Sequence, residues 1–398
     1  MKKIALLLVV VFMIMPIISV AGAEDLDYSI QMPISDYICN RYDSIANLSY
    51  KENNIQKIQT AKGIRFMTIE NLMLESEIHL LQIIPENVKY KEYHLSIDYS
   101  EPTIVGNQAT IWASVVCNFN YEETPDIPSE YGVIYRFDLN RSISGKWEII
   151  DRSYPTLFDK AFWKESVPNL FDAIQKNAEL NTTSSYIESD EVRYMLNHSN
   201  SDNIRASHSY TSTARSNAAT TALNYVSPTN NTWNSNGYSY SYPSGYSQSS
   251  LDCTNYVSFC LNYGGGIPED STGSDKWKRG TYNWYNVDGL YSYFKKAKNN
   301  TEKGFYGTTY YSGSNYPSST VRATTAASDI IQFSSISDTD WTHSAIVTYK
   351  SSSNDVYVCM HDCYSYYSQC SLSSFYASEY PSSGTRYIRF MQITGYYD

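Results

Sequence analysis

The side chains with the most chemical potential are Asp252-Cys253, at the end of a polar Ser-rich loop and the start of an amphipathic run, followed by His343 and His361. A cysteine at a helix start sits among unpaired backbone N–H groups and at the positive end of the helix dipole, which together favour the nucleophilic thiolate. Such a thiol needs a base and a third group to orient that base. His343 and His361 are the only histidines after Cys253, and each falls at the edge of a predicted strand. A cysteine on a helix followed by histidines on later strands is an order that lets a strand-borne imidazole reach a helix-borne thiol. The ordinary role for a free cysteine is a small buried hydrophobe, which is the reading for Cys260, two turns along the same helix.

The elements that must position these groups follow from periodicity. The helix that begins at Asp252 runs to Gly264-Gly265-Gly266, which stop it. Residues 213–225 form a predicted helix with Ala214, Ala218, Ala222 and Tyr225 on one side. Residues 287–296 form a short amphipathic one. Strands are predicted at 329–333, 343–349, 355–363 and 386–393, with a Tyr/Ser/Gly-rich loop before the first of them. Upstream, apolar spacing predicts helices at 34–48 and 69–84. An antiparallel meander of strands follows at 93–99, 108–120, 130–139 and 144–151. The expected fold class is therefore α+β. A cystatin-like or cone-like α+β accessory domain (24–171) precedes a polar linker (172–205) and a papain-like α+β hydrolase domain (206–398).

Composition narrows the partners. The 398 residues are 42% hydrophobic, enough for real cores, and the net charge of −11 argues against nucleic acid. The 39 tyrosines suit surfaces that bind sugars or peptides, or reflect biased surface composition. Residues 1–23 read as a signal peptide: Lys2 and Lys3, an apolar stretch, then Ala21-Gly22-Ala23. The expected location is secreted, with cell-wall association and no lasting membrane span. Seven cysteines is an odd number for an exported chain, so at least one is unpaired within it. On a strand, Cys359, His361 and Cys363 would share one face, as the ligands of a zinc site do. Cys-x-x-Cys knuckles are absent, so no metal or other cofactor is expected, and a Cys363–Cys370 or Cys359–Cys370 disulfide is the preferred reading. A Cys39–Cys117 bridge is a further candidate.

Residues 206–393 resemble the putative amidase domain family of exported bacterial proteins, a branch related to NlpC-type and CHAP cysteine peptidases. The resemblance rests on an ordered series: the helix at 210–225, Asp252-Cys253-Thr254-Asn255-Tyr256-Val257-Ser258, then Cys260-Leu261 and Gly264-Gly265. Trp277 and Trp284 follow, then Asp329-Ile330-Ile331-Gln332-Phe333 and His343-Ser344-Ala345-Ile346-Val347-Thr348. Leu251 and Ser328 stand where that family has Gly, and Phe259 where it has Gln. The resemblance implies that Cys253 attacks a carbonyl carbon, that His343 takes the thiol proton, and that His361 orients the imidazole. Asp362 is the rival for that last role, since neighbouring strand residues face opposite ways. The Cys253 backbone N–H and one further donor would hold the oxyanion. Asp252 and Asn255 would support the helix start. Trp277, Trp284 and Tyr225 would line a substrate groove. The implied activity is amide hydrolysis in peptidoglycan or a peptide. The alternatives are an idle cell-wall or glycan-binding protein, and an acyl-transfer enzyme that uses the same nucleophile.

Overall fold

The computed structural model describes residues 21–83, 86–153, 207–249, 252–270, 276–295, 304–313, 316–334, 341–378 and 387–397. The expected linker and residues 1–20 of the expected leader lie outside them. Among the described residues no helix is long and apolar enough to cross a membrane.

Two long helices come first, α1 (Ala21–Asn47) and α2 (Ala61–Ile83). Both start earlier than their apolar spacing suggests. In α1, Ile30, Ile34, Tyr37, Ile38, Tyr42 and Ile45 recur at helical intervals and are buried. The meander β1 (Tyr90–Tyr99), β2 (Thr103–Val105), β3 (Gln108–Tyr121), β4 (Ser129–Arg141) and β5 (Trp147–Ser153) follows. Alternation decides its faces: Ile111, Ala113, Val115 and Cys117 of β3 are all fully buried.

The second half opens with β6 (Ser207–Ser209) and α3 (Ser212–Tyr225), whose first turn is capped by the Thr211 hydroxyl accepting from Ala214 N. A small hairpin pairs β7 (Trp233–Asn234) with β8 (Gly237–Tyr238). Helix α4 (Asp252–Phe259) continues through a π turn, Cys260–Gly264, and ends in the glycine run. Then come α5 (Tyr282–Tyr285), α6 (Val287–Lys295), β9 (Gly304–Gly313), α7 (Ser319–Thr324), β10 (Ile330–Ser334), β11 (His343–Lys350) and β12 (Val356–His361). The chain closes with β13 (Ser365–Ser371), α8 (Leu372–Ser378) and β14 (Tyr387–Tyr397). The tyrosine-rich segment expected as a loop is strand β9, held along one side of the long β14. Its glycines hide a strand that only this pairing specifies.

Both halves share one antiparallel sheet of twelve strands, with its main path β1-β3-β4-β13-β12-β11-β10-β14-β6. The seam is β4. Its first residues pair with β13 and its later ones with β5. Gly132 stands opposite Tyr366 there, and a Cβ at Gly132 would fall inside the Tyr366 ring. One apolar core lies between the sheet and α1, α2 and α8. A second lies between β10–β14 and helices α3, α4 and α6. α+β is thus the observed class, and the accessory meander continues directly into the sheet that carries the histidines.

Ser328, just before β10, adopts a left-handed backbone with φ of +66°. This is the position at which the resembled family has glycine, and an L side chain there costs about 1 kcal/mol. Ser328→Gly should raise the unfolding free energy by about 0.5–1 kcal/mol, read as a higher urea midpoint at unchanged slope.

Candidate active site

Helix α4 is placed by its polar residues. Asp252 is fully buried at its first position. One carboxylate oxygen accepts from Ser249 N at 2.9 Å and Asn255 Nδ2 at 2.7 Å, and the other from the Tyr242 hydroxyl at 3.1 Å. That second oxygen also lies 3.1 Å from His361 Nδ1. The approach is off the line of the ring N–H, so the contact is electrostatic rather than a hydrogen bond. Thr254 Oγ1 meets Ser344 Oγ of β11 at 2.9 Å. The first turn of α4 is therefore fixed to the ends of two adjacent strands, at Ser344 and at His361.

Trp277 and Trp284 do not line a groove. Both are buried in the core, and their indole N–H groups donate to Ser258 and Asn255 of α4 at 3.1 and 2.8 Å. A buried indole needs a partner for its one donor, and the polar side of α4 supplies it. Tyr225 also falls elsewhere. Its ring packs on Phe259 and Tyr263 at the far end of α4. Phe259 itself is fully buried among Tyr225, Tyr242, Tyr246 and Tyr263, so its place is core packing.

Cys253 is only 6% exposed. Its neighbours are Val287 and Trp341, with Tyr387 packed against the group. Thr254 Oγ1 is 3.8 Å from the sulfur. Burial pushes the thiol up to about 11, and the backbone N–H of Ser344 only partly offsets this. The sequence expectation of a stable thiolate at the helix start is thus reversed: desolvation outweighs the helix end. Cys260, deeper in the core, is pushed up further by burial and by Cys359.

His343 opens β11, with its ring between Phe333 and Phe375 at centroid distances of 6.4 and 6.3 Å. Burial, with the nearby His361 adding to it, lowers its pKa to about 3, so the imidazole is neutral and can accept a proton. Among the described residues no hydrogen bond joins it to Cys253 or to His361. His361 lies on the α4 face of the sheet. Tyr240 stacks on its ring at 3.8 Å, Tyr256 tilts against it, and the Tyr242 hydroxyl is 3.5 Å from Nε2. Phe333 and Phe375, beside His343, belong to the opposite core. The β11–β12 register pairs Ile346 with Cys359.

Asp362 is pushed up by burial and held down in part by the backbone N–H groups of Tyr364 and Ser365, which its Oδ1 accepts at 2.7 and 2.9 Å. This turn ends β12 at His361, so Cys363 leaves the strand and the expected alternation Cys359, His361, Cys363 is broken. Among the described residues no group of three or more His, Cys, Asp and Glu is set to hold a metal. None of the seven cysteines is in a disulfide, so none of the expected bridges is present.

A thiol held near 11 reacts in proportion to a thiolate fraction that grows tenfold per pH unit below that value. Alkylation of Cys253 by iodoacetamide, followed by peptide mass spectrometry, should therefore accelerate by roughly tenfold per unit from pH 7 to 10. A rate that levels off below pH 8 would contradict the neutral thiol.

The comparisons with known proteins come to three findings. No curated protein matches the chain. A solved structure, the Kfla4162 protein from Kribbella flavida, shares 15% identity over 32% of this chain and 89% of that one, with a TM-score of 0.22, too low to carry an argument. Residues 212–382, from the first residue of α3 past the end of α8 and including Cys253, His343 and His361, match the family model described as a putative amidase domain, whose named chemistry is amide hydrolysis.

Proposed function

We propose that this protein is an exported cysteine amidase with a papain-like catalytic region related to the NlpC-type and CHAP peptidases, acting on amide bonds of peptidoglycan or of a peptide. The observation that carries this reading is the 2.9 Å contact between Thr254 and Ser344. It ties the residue after Cys253 to the residue after His343, so nucleophile and base are held at one end of β11.

The neutral pair sets the order of proton movement. Cys253 Sγ attacks the carbonyl carbon as its proton passes to His343, so the C–S bond and the thiol deprotonation are coupled. Backbone N–H groups in the first turn of α4 have no intrahelical partner and suit the oxyanion. The tetrahedral adduct expels the amine, which takes the proton from His343. Water, losing a proton to the same imidazole, then attacks the thioester carbon; the C–S bond breaks, the acyl group leaves as a carboxylic acid, and Cys253 Sγ takes the proton back from His343. Exposure of Cys253 to a wall polymer follows from the leader-like residues 1–23.

Asp362 suits the orienting role better than His361. Both nitrogens of His361 face residues of the α4 side, Asp252 and Tyr242, which leaves Asp362 as the candidate for that role although His361 is the group that acts on His343. His361 then acts by bracing α4. Asp362→Asn keeps an acceptor for the turn, so it should leave the melting temperature unchanged while lowering kcat by tenfold or more. His361→Asn should instead lower the melting temperature, because it deprives the buried Asp252 carboxylate of a partner. The opposite pattern would return the orienting role to His361.

The activity itself is checked on purified cell walls. The mature protein should clear them in a zymogram, and Cys253→Ala should lose roughly a thousandfold or more of the rate. Equal clearing by the two proteins would sink the proposal.

A further inference from the structure

On the α4 face of the sheet, Ser344, Gln332 and Arg389 form one row across β11, β10 and β14, each opposite the next. Gln332 holds the row together. Its Nε2 donates to Ser344 Oγ at 3.1 Å and to Val287 O at 3.0 Å, and its Oε1 accepts from Arg389 Nε at 2.7 Å. The row begins at the serine that anchors α4, and Arg389 is two strands away.

The guanidinium of Arg389 is clamped between two rings. Its central carbon lies 3.4 Å from the Tyr291 centroid and 4.0 Å from that of Trp341. Trp341 is the same indole that packs on Cys253, so the cation sits one ring away from the nucleophile. Arg389 is 2% exposed, and its Nη2 has no hydrogen-bond partner among the described residues. Asp288 forms an ion pair with Arg389, its carboxylate oxygen 3.8 Å from that nitrogen and beyond hydrogen-bond range. Asp288 is 40% exposed, which places solvent on that side.

A buried cation with an unused donor is costly, and a planar fork of N–H groups matches a carboxylate in shape and charge. Stacking on two rings fixes the fork in advance, so little freedom is lost when an anion arrives. We infer that Arg389, clamped by Trp341 and Tyr291, is a carboxylate subsite beside Cys253, so that the substrate carries a free carboxylate close to the scissile amide. This rests on Cys253 being the nucleophile. In the unliganded protein Asp288 stands near the place the substrate carboxylate takes, and it is displaced on binding. The carboxylate belongs either to the acyl fragment or to the leaving amine, and two probes separate these.

The test measures binding by calorimetry on the full chain carrying Cys253→Ala, so that no turnover intervenes. The probes are N-acetyl-γ-glutamyl-alaninamide, with its carboxylate on the acyl side, and N-acetylalanyl-alanine, with its carboxylate on the amine side. Each is compared with its carboxamide counterpart. One acid should bind at least tenfold more tightly than its carboxamide, which identifies the side. Adding Arg389→Gln should erase the preference. Asp288→Ala, a change at a half-exposed position, should tighten binding of the same acid about threefold or more, and it guards against Arg389→Gln failing to fold. The inference is overturned if neither acid is preferred, if the preference survives Arg389→Gln, or if Asp288→Ala leaves binding unchanged or weaker. Failure of the amidase reading shows instead as equal wall clearing by wild type and Cys253→Ala, a readout that binding does not touch.

Discussion

Everything at the candidate site depends on how the first turn of α4 is held against the sheet. The contact is polar and buried. Asp252 meets His361, and Thr254 meets Ser344. Buried polar groups are costly unless matched, so this pairing accepts few alternatives, and a helix docked this way has one register on its strands. Apolar packing alone, as between the small residues of α3 and the π turn, would leave more freedom. The tryptophans serve the same end from the other side of α4, since each indole N–H is satisfied by a polar residue of the helix.

Fixing the helix this firmly has an electrostatic consequence. A thiol raised from 9.0 to about 11 has lost about 2.7 kcal/mol of preference for its charged form. A helix terminus returns about 0.3–1 kcal/mol, and up to about 2 in favourable sites. Desolvation wins here, so the thiol and the imidazole rest neutral. In the proposed mechanism the buried Cys253 gains reactivity only as His343 takes its proton during attack. The same low-dielectric surroundings strengthen the attraction between Arg389 and any anion brought beside it.

The shared sheet gives the N-terminal region a physical connection to the site. β4 passes from the meander to β13, β13 pairs with β12, and β12 ends at His361. Gly132 makes this join possible by leaving room for the Tyr366 ring. The meander is therefore joined to the site by hydrogen-bonded strands.

The sequence by itself determined the local features: a helix beginning at Asp252, a strand opening at His343, the glycine stop, the meander and the α+β class. Each follows from short-range periodicity, capping or turn chemistry, which a linear reading contains. The tertiary structure alone decided the rest. Trp277 and Trp284 read as exposed aromatics until their N–H groups are seen bonded within the core. Cys359, His361 and Cys363 read as one face until Asp362 turns the chain. β9 reads as a loop until β14 lies beside it. Arg389 carries no local signal at all, because its meaning comes from Gln332, Trp341 and Tyr291, which approach it from other elements. Local propensity acts over a few residues, whereas burial and cross-strand register depend on segments far apart in the chain, and these decide which polar groups face one another and which thiol stays protonated.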